Sequence, residues 1–99
     1  MNISLDYDGT ITRDPEAWLE FVMLMQRQGH TVYIVTMRNE GEARELKQQW
    51  SKHVDGIFCT SRKAKRSFMY DRGICIDVWI DDEPGWILTD AADAVQHEG

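Results

Sequence analysis

Apolar and polar positions fall into short blocks along this chain, and the period of the blocks changes in a regular order. Asn2, Ile3, Ser4 and Leu5 alternate with period two and stop at Asp6-Tyr7-Asp8-Gly9-Thr10, where Gly9 permits a turn, which predicts a first strand ending in a polar loop. Asp14 is a good N-cap and Pro15 suits the first helical position. Trp18, Phe21, Val22 and Met25 then recur at helical spacing before Gly29, so a helix is predicted over 15–28. Thr31-Val32-Tyr33-Ile34-Val35-Thr36 is β-branched and nearly all apolar, as expected of a strand buried on both faces of a parallel sheet. Asn39 followed by Glu42 forms a capping-box pattern, opening a helix with Ala43, Leu46, Lys47 and Trp50 on one face. A short strand at Gly56–Cys59 follows, then a helix from Arg62 to about Arg72 that stops at Gly73. Ile74 to Ile80 reads as a strand that delivers Asp81-Asp82 at its carboxyl end, with Glu83 and Pro84 marking its stop. Beyond Gly85 the pattern is weaker: Trp86-Ile87-Leu88 fits a fifth strand or a helical turn, and Thr89 to His97 a small terminal helix.

Strands and helices alternate, and parallel neighbours need crossover connections, so the fold class is α/β: a doubly wound, Rossmann-like parallel sheet of four to five strands. The chain is 99 residues long and 42% hydrophobic, with four Trp, three Phe and three Tyr, enough for one core and one domain over residues 1–99. Seventeen acidic against eleven basic residues give a net charge of −6, which disfavours nucleic-acid or anionic-membrane binding by net charge alone. No apolar run approaches the ~18 residues of a membrane span, and MNISLDYDG lacks the basic and apolar regions of a signal peptide. A cytoplasmic protein with no membrane partner is the expectation. Cys59 and Cys75 lack metal-site spacing and read as buried thiols.

In doubly wound sheets, ligands bind beyond the carboxyl ends of the strands. Asp6 and Asp8, Thr36, Thr60 and Ser61, and Asp81 and Asp82 all fall at or just past such ends, so the polar residues converge on one rim. Four carboxylates there repel one another unless a cation joins them, and hard oxygen ligands favour Mg²⁺. Carboxylates, Mg²⁺, a hydroxyl and a nearby lysine together suit phosphoryl transfer, in which positioning and charge neutralisation carry most of the catalysis.

Asp6-Tyr7-Asp8-Gly9-Thr10 resembles the DxDGT first motif of the haloacid dehalogenase superfamily. Thr36, Lys65 and Asp81-Asp82 resemble that family's hydroxyl, lysine and acidic motifs in the same order, so the resemblance spans residues 2–84. It implies a sheet order of 3-2-1-4, with any fifth strand beside the fourth. It also implies a phosphohydrolase working through an aspartyl-phosphate. Asp6 would be the nucleophile and Asp8 the general acid/base. Gly9 would let backbone amides approach the phosphate, Thr36 would hydrogen-bond the phosphoryl group, and Lys65 would neutralise it and orient Asp6. Lys63 is the alternative for the lysine role. Mg²⁺ would be held by Asp6, the backbone carbonyl of Asp8, and Asp81 with Asp82.

Members of that family often carry a cap domain after the first motif or before the lysine motif. Only a few residues separate Thr10 from Pro15 and Cys59 from Lys65, so neither insertion fits and a capless member is expected. An open site admits a phosphorylated small molecule, a nucleotide or a macromolecular phosphate ester, and a neighbouring subunit of a homo-oligomer can cover it. Arg62, Lys63, Lys65 and Arg66 could assist with the larger substrates. A receiver-like signalling module places its acidic pair, phosphoacceptor, Thr and Lys in a different order. A cysteine-dependent phosphatase needs Arg six residues after Cys, where this chain has Lys65 and Asp81. A binding protein that kept the fold without turnover is the remaining alternative.

Overall fold

The computed structural model describes residues 1–92. Strands β1 (Asn2–Leu5), β2 (Thr31–Thr36), β3 (Gly56–Cys59) and β4 (Val78–Ile80) form one all-parallel sheet in the order β3-β2-β1-β4. Helices α1 (Pro15–Arg27), α2 (Arg44–Trp50), α3 (Lys65–Asp71) and α4 (Gly85–Leu88) flank it, an α/β arrangement compatible with a Rossmann-like fold. The sheet order is the expected one. Trp86 to Leu88 take the helical option, and no fifth strand exists among the described residues.

Local chemistry explains most of the boundaries. The Asp14 side chain accepts from the Ala17 amide at 3.2 Å, Pro15 opens α1, and Gly29 follows it at φ +88°. α1 buries Val22 and stacks Trp18 edge-on against Phe21, with ring centroids 5.5 Å apart. In β2, Val32, Ile34, Val35 and Thr36 are buried, and the strand has neighbours on both sides. Ile3 and Leu5 of β1 join Val32, Ile34, Leu46 and Trp50 in the core.

Three expected boundaries move. The capping box forms reciprocally, with the Asn39 amide donating to Glu42 Oε1 at 2.8 Å and the Glu42 amide to Asn39 Oδ1 at 2.9 Å, yet regular helix begins only at Arg44. α3 starts at Lys65 rather than Arg62, because Ser61 and Arg62 sit at φ 54° and 72°. The Ser61 amide donates to Arg38 O and the Arg62 amide to Met37 O, so the loop after β3 is fastened to the loop after β2 in that conformation. The α3 N-terminus is then capped from a distance, by Asp90 Oδ1 accepting from the Ala64 amide at 2.6 Å.

β4 begins at Val78, four residues later than expected, because its partner β1 offers positions opposite Val78, Trp79 and Ile80 only. Ahead of it, Asp77 accepts from the Asn2 amide at 2.7 Å, and Cys75 O accepts from Asn2 Nδ2 at 3.0 Å. This segment lies at the surface, which corrects the expectation that both cysteines are buried: Cys59 is, Cys75 is exposed. The helix expected over 89–97 falls mostly outside the described residues, and Thr89 itself is extended. No helix among the described residues is long and apolar enough to cross a membrane.

The two thiols should therefore react differently. Burial pushes the Cys59 thiol up to about 11, so at pH 8 roughly one molecule in a thousand carries its thiolate. Iodoacetamide should add once to the native protein, at Cys75, and twice after denaturation. Mass spectrometry of the intact protein checks this, and rapid double labelling of native protein would place Cys59 at the surface.

Candidate functional site

Parallel pairing sets the site. Leu5 lies opposite Ile80 in the β1–β4 ladder, and the Asp6 amide continues it by donating to Ile80 O at 2.9 Å. The next residues on the two strands, Asp6 and Asp81, therefore emerge side by side. Lys65, the first residue of α3, reaches between them and is 1% exposed; its Nζ donates to Asp6 Oδ1 at 2.9 Å and to Asp81 Oδ2 at 2.5 Å. Asp6 is itself buried and also accepts from Thr10 Oγ1 at 3.3 Å. Asp81 orders the turn that follows, its Oδ1 accepting from the Glu83 amide at 2.9 Å.

Carboxylate oxygens of Asp6, Asp81 and Asp82 lie within 4.8 Å of one another. Burial above all pushes the Asp6 carboxyl up to about 7, and the neighbouring carboxyl groups of Asp82 and Asp81 add to the rise while Lys65 opposes it. Three oxygen donors with one balancing ammonium fit a hard divalent cation, and Mg²⁺ is such an ion.

Above Asp6 lies an open cavity of about 280 Å³ lined by Asp6, Asp8, Gly9, Met37, Asp82, Glu83 and Trp86. Gly9 is indispensable to its shape for two reasons. Its φ is +82°, and a Cβ there would lie 2.7 Å from Asp82 Cγ and closer still to Oδ2. Gly9→Ala should cost about 1–2 kcal/mol through the left-handed backbone alone. It should also swing the Asp82 carboxylate away and raise the Mg²⁺ concentration needed to shift the melting temperature. A melting titration measures both effects, and an unchanged Mg²⁺ response would separate Asp82 from the cation.

The sequence-derived candidates are thus brought together unequally. Asp6, Lys65, Asp81 and Asp82 form one cluster, with Gly9 packed against it. Lys63 stands in the turn before α3, whereas Lys65 carries its ammonium to the carboxylates. Thr36 is buried at the end of β2, where its Oγ1 accepts from the Arg38 amide at 3.2 Å, and the adjacent Met37 lines the cavity. Asp8 lines the cavity too, but its carboxylate is gripped by Arg38: Nε donates to Oδ2 at 2.8 Å and Nη2 to Oδ1 at 2.7 Å. Arg38 is further held by Glu42 O, 2.7 Å from Nη1, and its guanidinium lies over the Tyr7 ring at 5.3 Å.

Sequence reasoning misses Arg38. Its one available signal is position: it stands two residues past Thr36, on the rim where the polar residues of the strand ends gather. Trp86, which the sequence places only in a fifth strand or a helical turn, forms part of the cavity wall.

No protein-family model matches this sequence, and no significant match was found among curated proteins or solved structures.

Proposed function

We propose that this protein is a Mg²⁺-dependent phosphomonoesterase of the haloacid dehalogenase type, capless and acting through an aspartyl-phosphate on Asp6. The observation that supports it most is the setting of Asp6. Its carboxylate is buried, oriented by the Lys65 ammonium at 2.9 Å, and flanked by two further carboxylates below an open cavity. A nucleophile needs such orientation, and a phosphoryl group needs such a density of opposite charge once a cation joins the cluster.

The chemistry is a double displacement. Asp6 attacks phosphorus through a carboxylate oxygen, the bond from phosphorus to the ester oxygen breaks, and the Asp8 carboxylic acid gives its proton to the departing oxygen. Water then attacks the aspartyl-phosphate, Asp8 takes the water's proton, and the bond from phosphorus to Asp6 breaks to release inorganic phosphate. Lys65 holds Asp6 in line and offsets charge on the transferred group. Asp6, Asp81 and Asp82, with the Asp8 carbonyl, would hold Mg²⁺, which supplies charge neutralisation for the phosphoryl oxygens. Substrates are phosphorylated small molecules, nucleotides or macromolecular phosphate esters, because among the described residues the cavity over Asp6 is open.

One observation favours a second reading, a phosphate-binding module without turnover: both Asp8 oxygens are engaged by Arg38. Phosphate release from a panel of small esters, nucleotides and end-phosphorylated oligonucleotides, in Mg²⁺ or EDTA, separates the two. A phosphohydrolase gives metal-dependent release that vanishes in Asp6→Asn. A binding module gives Mg²⁺-dependent phosphate binding with no release.

A further inference from the structure

The Asp8–Arg38 pair poses a chemical problem for the proposed cycle. A general acid must carry a proton on one carboxyl oxygen, and both Asp8 oxygens accept from Arg38, at 2.8 and 2.7 Å. Asp8 therefore has to leave Arg38 before it can act. Arg38 itself is anchored independently, through Nη1 to Glu42 O at 2.7 Å and over the Tyr7 ring at 5.3 Å, so it stays in place with its Nε–Nη2 edge vacated. That edge is a fork that matches a carboxylate or a phosphate.

The surroundings supply a route for such a group. A second cavity of about 390 Å³ is lined by Asp8, Met37, Arg38, Arg62, Trp86 and Ala91. It shares Asp8, Met37 and Trp86 with the cavity over Asp6, so the two adjoin along these residues. A phosphoryl group seated over Asp6 leaves its ester substituent to extend past Asp8 toward Arg38, with Arg62, whose guanidinium is paired with Glu42, on the same cavity wall. The walls between them, Met37, Trp86 and Ala91, are apolar.

Resting on the phosphohydrolase reading, we propose that Arg38 is a specificity-determining residue that holds Asp8 until a second anionic group on the leaving group takes its place. The preferred substrates are then phosphomonoesters whose leaving group carries a carboxylate or a further phosphate. The exchange replaces one anion on Arg38 by another, so the guanidinium is never left unpaired, and Asp8 is released next to the ester oxygen that needs its proton. The side chains of Arg38 and Asp8 are 33% and 54% exposed, and a pair so exposed is weak enough to exchange. Its strength corresponds to a selectivity of about fivefold at most for each such contact.

The test is steady-state phosphate release with Mg²⁺ from two matched pairs: glycerol 3-phosphate against 3-phosphoglycerate, and adenosine 5′-monophosphate against adenosine 3′,5′-bisphosphate. For the native protein, kcat/KM should be higher by up to about fivefold for the second member of at least one pair, and the pair that responds identifies carboxylate or phosphate as the second anion. In Arg38→Ala, kcat on the simple ester should rise, KM for its partner should rise, and the ratio should fall to near one. Arg38→Lys keeps the charge without the fork and should lose most of the preference while folding as the native protein does. A native ratio near one in both pairs overturns the inference while leaving the phosphohydrolase reading intact. So does a preference that survives in Arg38→Ala, or an equal loss on both substrates. Absence of metal-dependent release from all four esters would overturn the phosphohydrolase reading, and this inference with it.

Discussion

Replacing Asp6 by Asn is expected to abolish phosphate release and, in metal-free protein at pH 8, to raise the melting temperature. The two effects have one origin. Burial and the neighbouring carboxyl groups push Asp6 up to about 7 from an ordinary 3.8, so the folded chain holds a proton there that the unfolded chain has already lost. Between about pH 4 and pH 7 the folded state binds more protons than the unfolded one. The Asp6 contribution to stability therefore falls as pH rises through that window and is least favourable above it. A rise of that size corresponds to an upper bound of about 4 kcal/mol at pH 8. Asparagine removes the charge but also weakens the pairing with Lys65, so a gain on the order of 1–2 kcal/mol is expected. For a domain of this size that is roughly 5–15 °C. Melting curves in EDTA at pH 5 and pH 8 measure it: the variant should gain at pH 8 and little at pH 5. Equal curves at both pH values would show that Asp6 ionises as an ordinary surface carboxylate, and native-like turnover would remove it as nucleophile. In the native protein, Mg²⁺ should raise the melting temperature more at pH 8 than at pH 6, because the cation competes with the proton on Asp6.

Lys65→Met should be the most destabilising single change in the site. Methionine keeps much of the stem but removes the ammonium that donates to Asp6 and Asp81, leaving two carboxylates without their cation. Removing one partner from a buried ion pair costs about 3–5 kcal/mol. Lys65 lowers the Asp6 pKa, so its loss raises that pKa further, and the variant binds its proton over a wider range. The destabilisation should thus be largest at pH 8 and smaller at pH 5, whereas loss of packing alone would give the same cost at both. Urea unfolding at the two pH values reads this out. A double variant with Asp6→Asn should lose less than the sum of the single effects, since one of the two charges left unpaired is gone. A pH-independent loss in Lys65→Met would make the lysine a packing residue.

The limits of the sequence reading have physical causes. β2 and β3 are legible to the residue because their apolar runs, Val32–Val35 and Ile57–Cys59, are short and bounded by Thr31 and Thr36 in the one and by Gly56 and Thr60 in the other. β4 is shorter than its sequence suggests because the apolar letters from Ile74 onward outrun the strand beside it. Pairing is a property of two segments, and β1 is four residues long. The start of α3 is hidden for a similar reason. Ser61 and Arg62 adopt left-handed backbone under hydrogen bonds to Met37 and Arg38, and nothing within 61–65 announces them.

The site divides in the same way. Asp6 and Asp81 can be placed together because the rule for parallel sheets requires only knowledge of where strands end. Lys65 is picked out only by its resemblance to the lysine motif, with Lys63 as the alternative, and the ion pairs to Asp6 and Asp81 separate the two. The grip of Arg38 on Asp8 depends on how the loop after β2 folds back, a choice fixed by Glu42 and Tyr7 rather than by any local pattern. Thr36 shows the converse: it stands where the rule puts it, with its hydroxyl turned to the chain that follows.

The middle position of β1 in the sheet also bears on the order in which the protein assembles. One side of β1 is covered by β2, from the following helix-and-strand unit. The other waits for β4, and the Asn2 amide finds Asp77 across 75 residues of sequence. Closing so long a loop costs the most chain entropy, so β4 is expected to dock after the nearer strand pairs. Asp81 and Asp82 arrive with that last strand, so the carboxylate cluster does not exist in a partly folded chain. A cation that binds the cluster acts on the docking of β4 and slows its release, and its effect belongs in the unfolding rate more than in the folding rate.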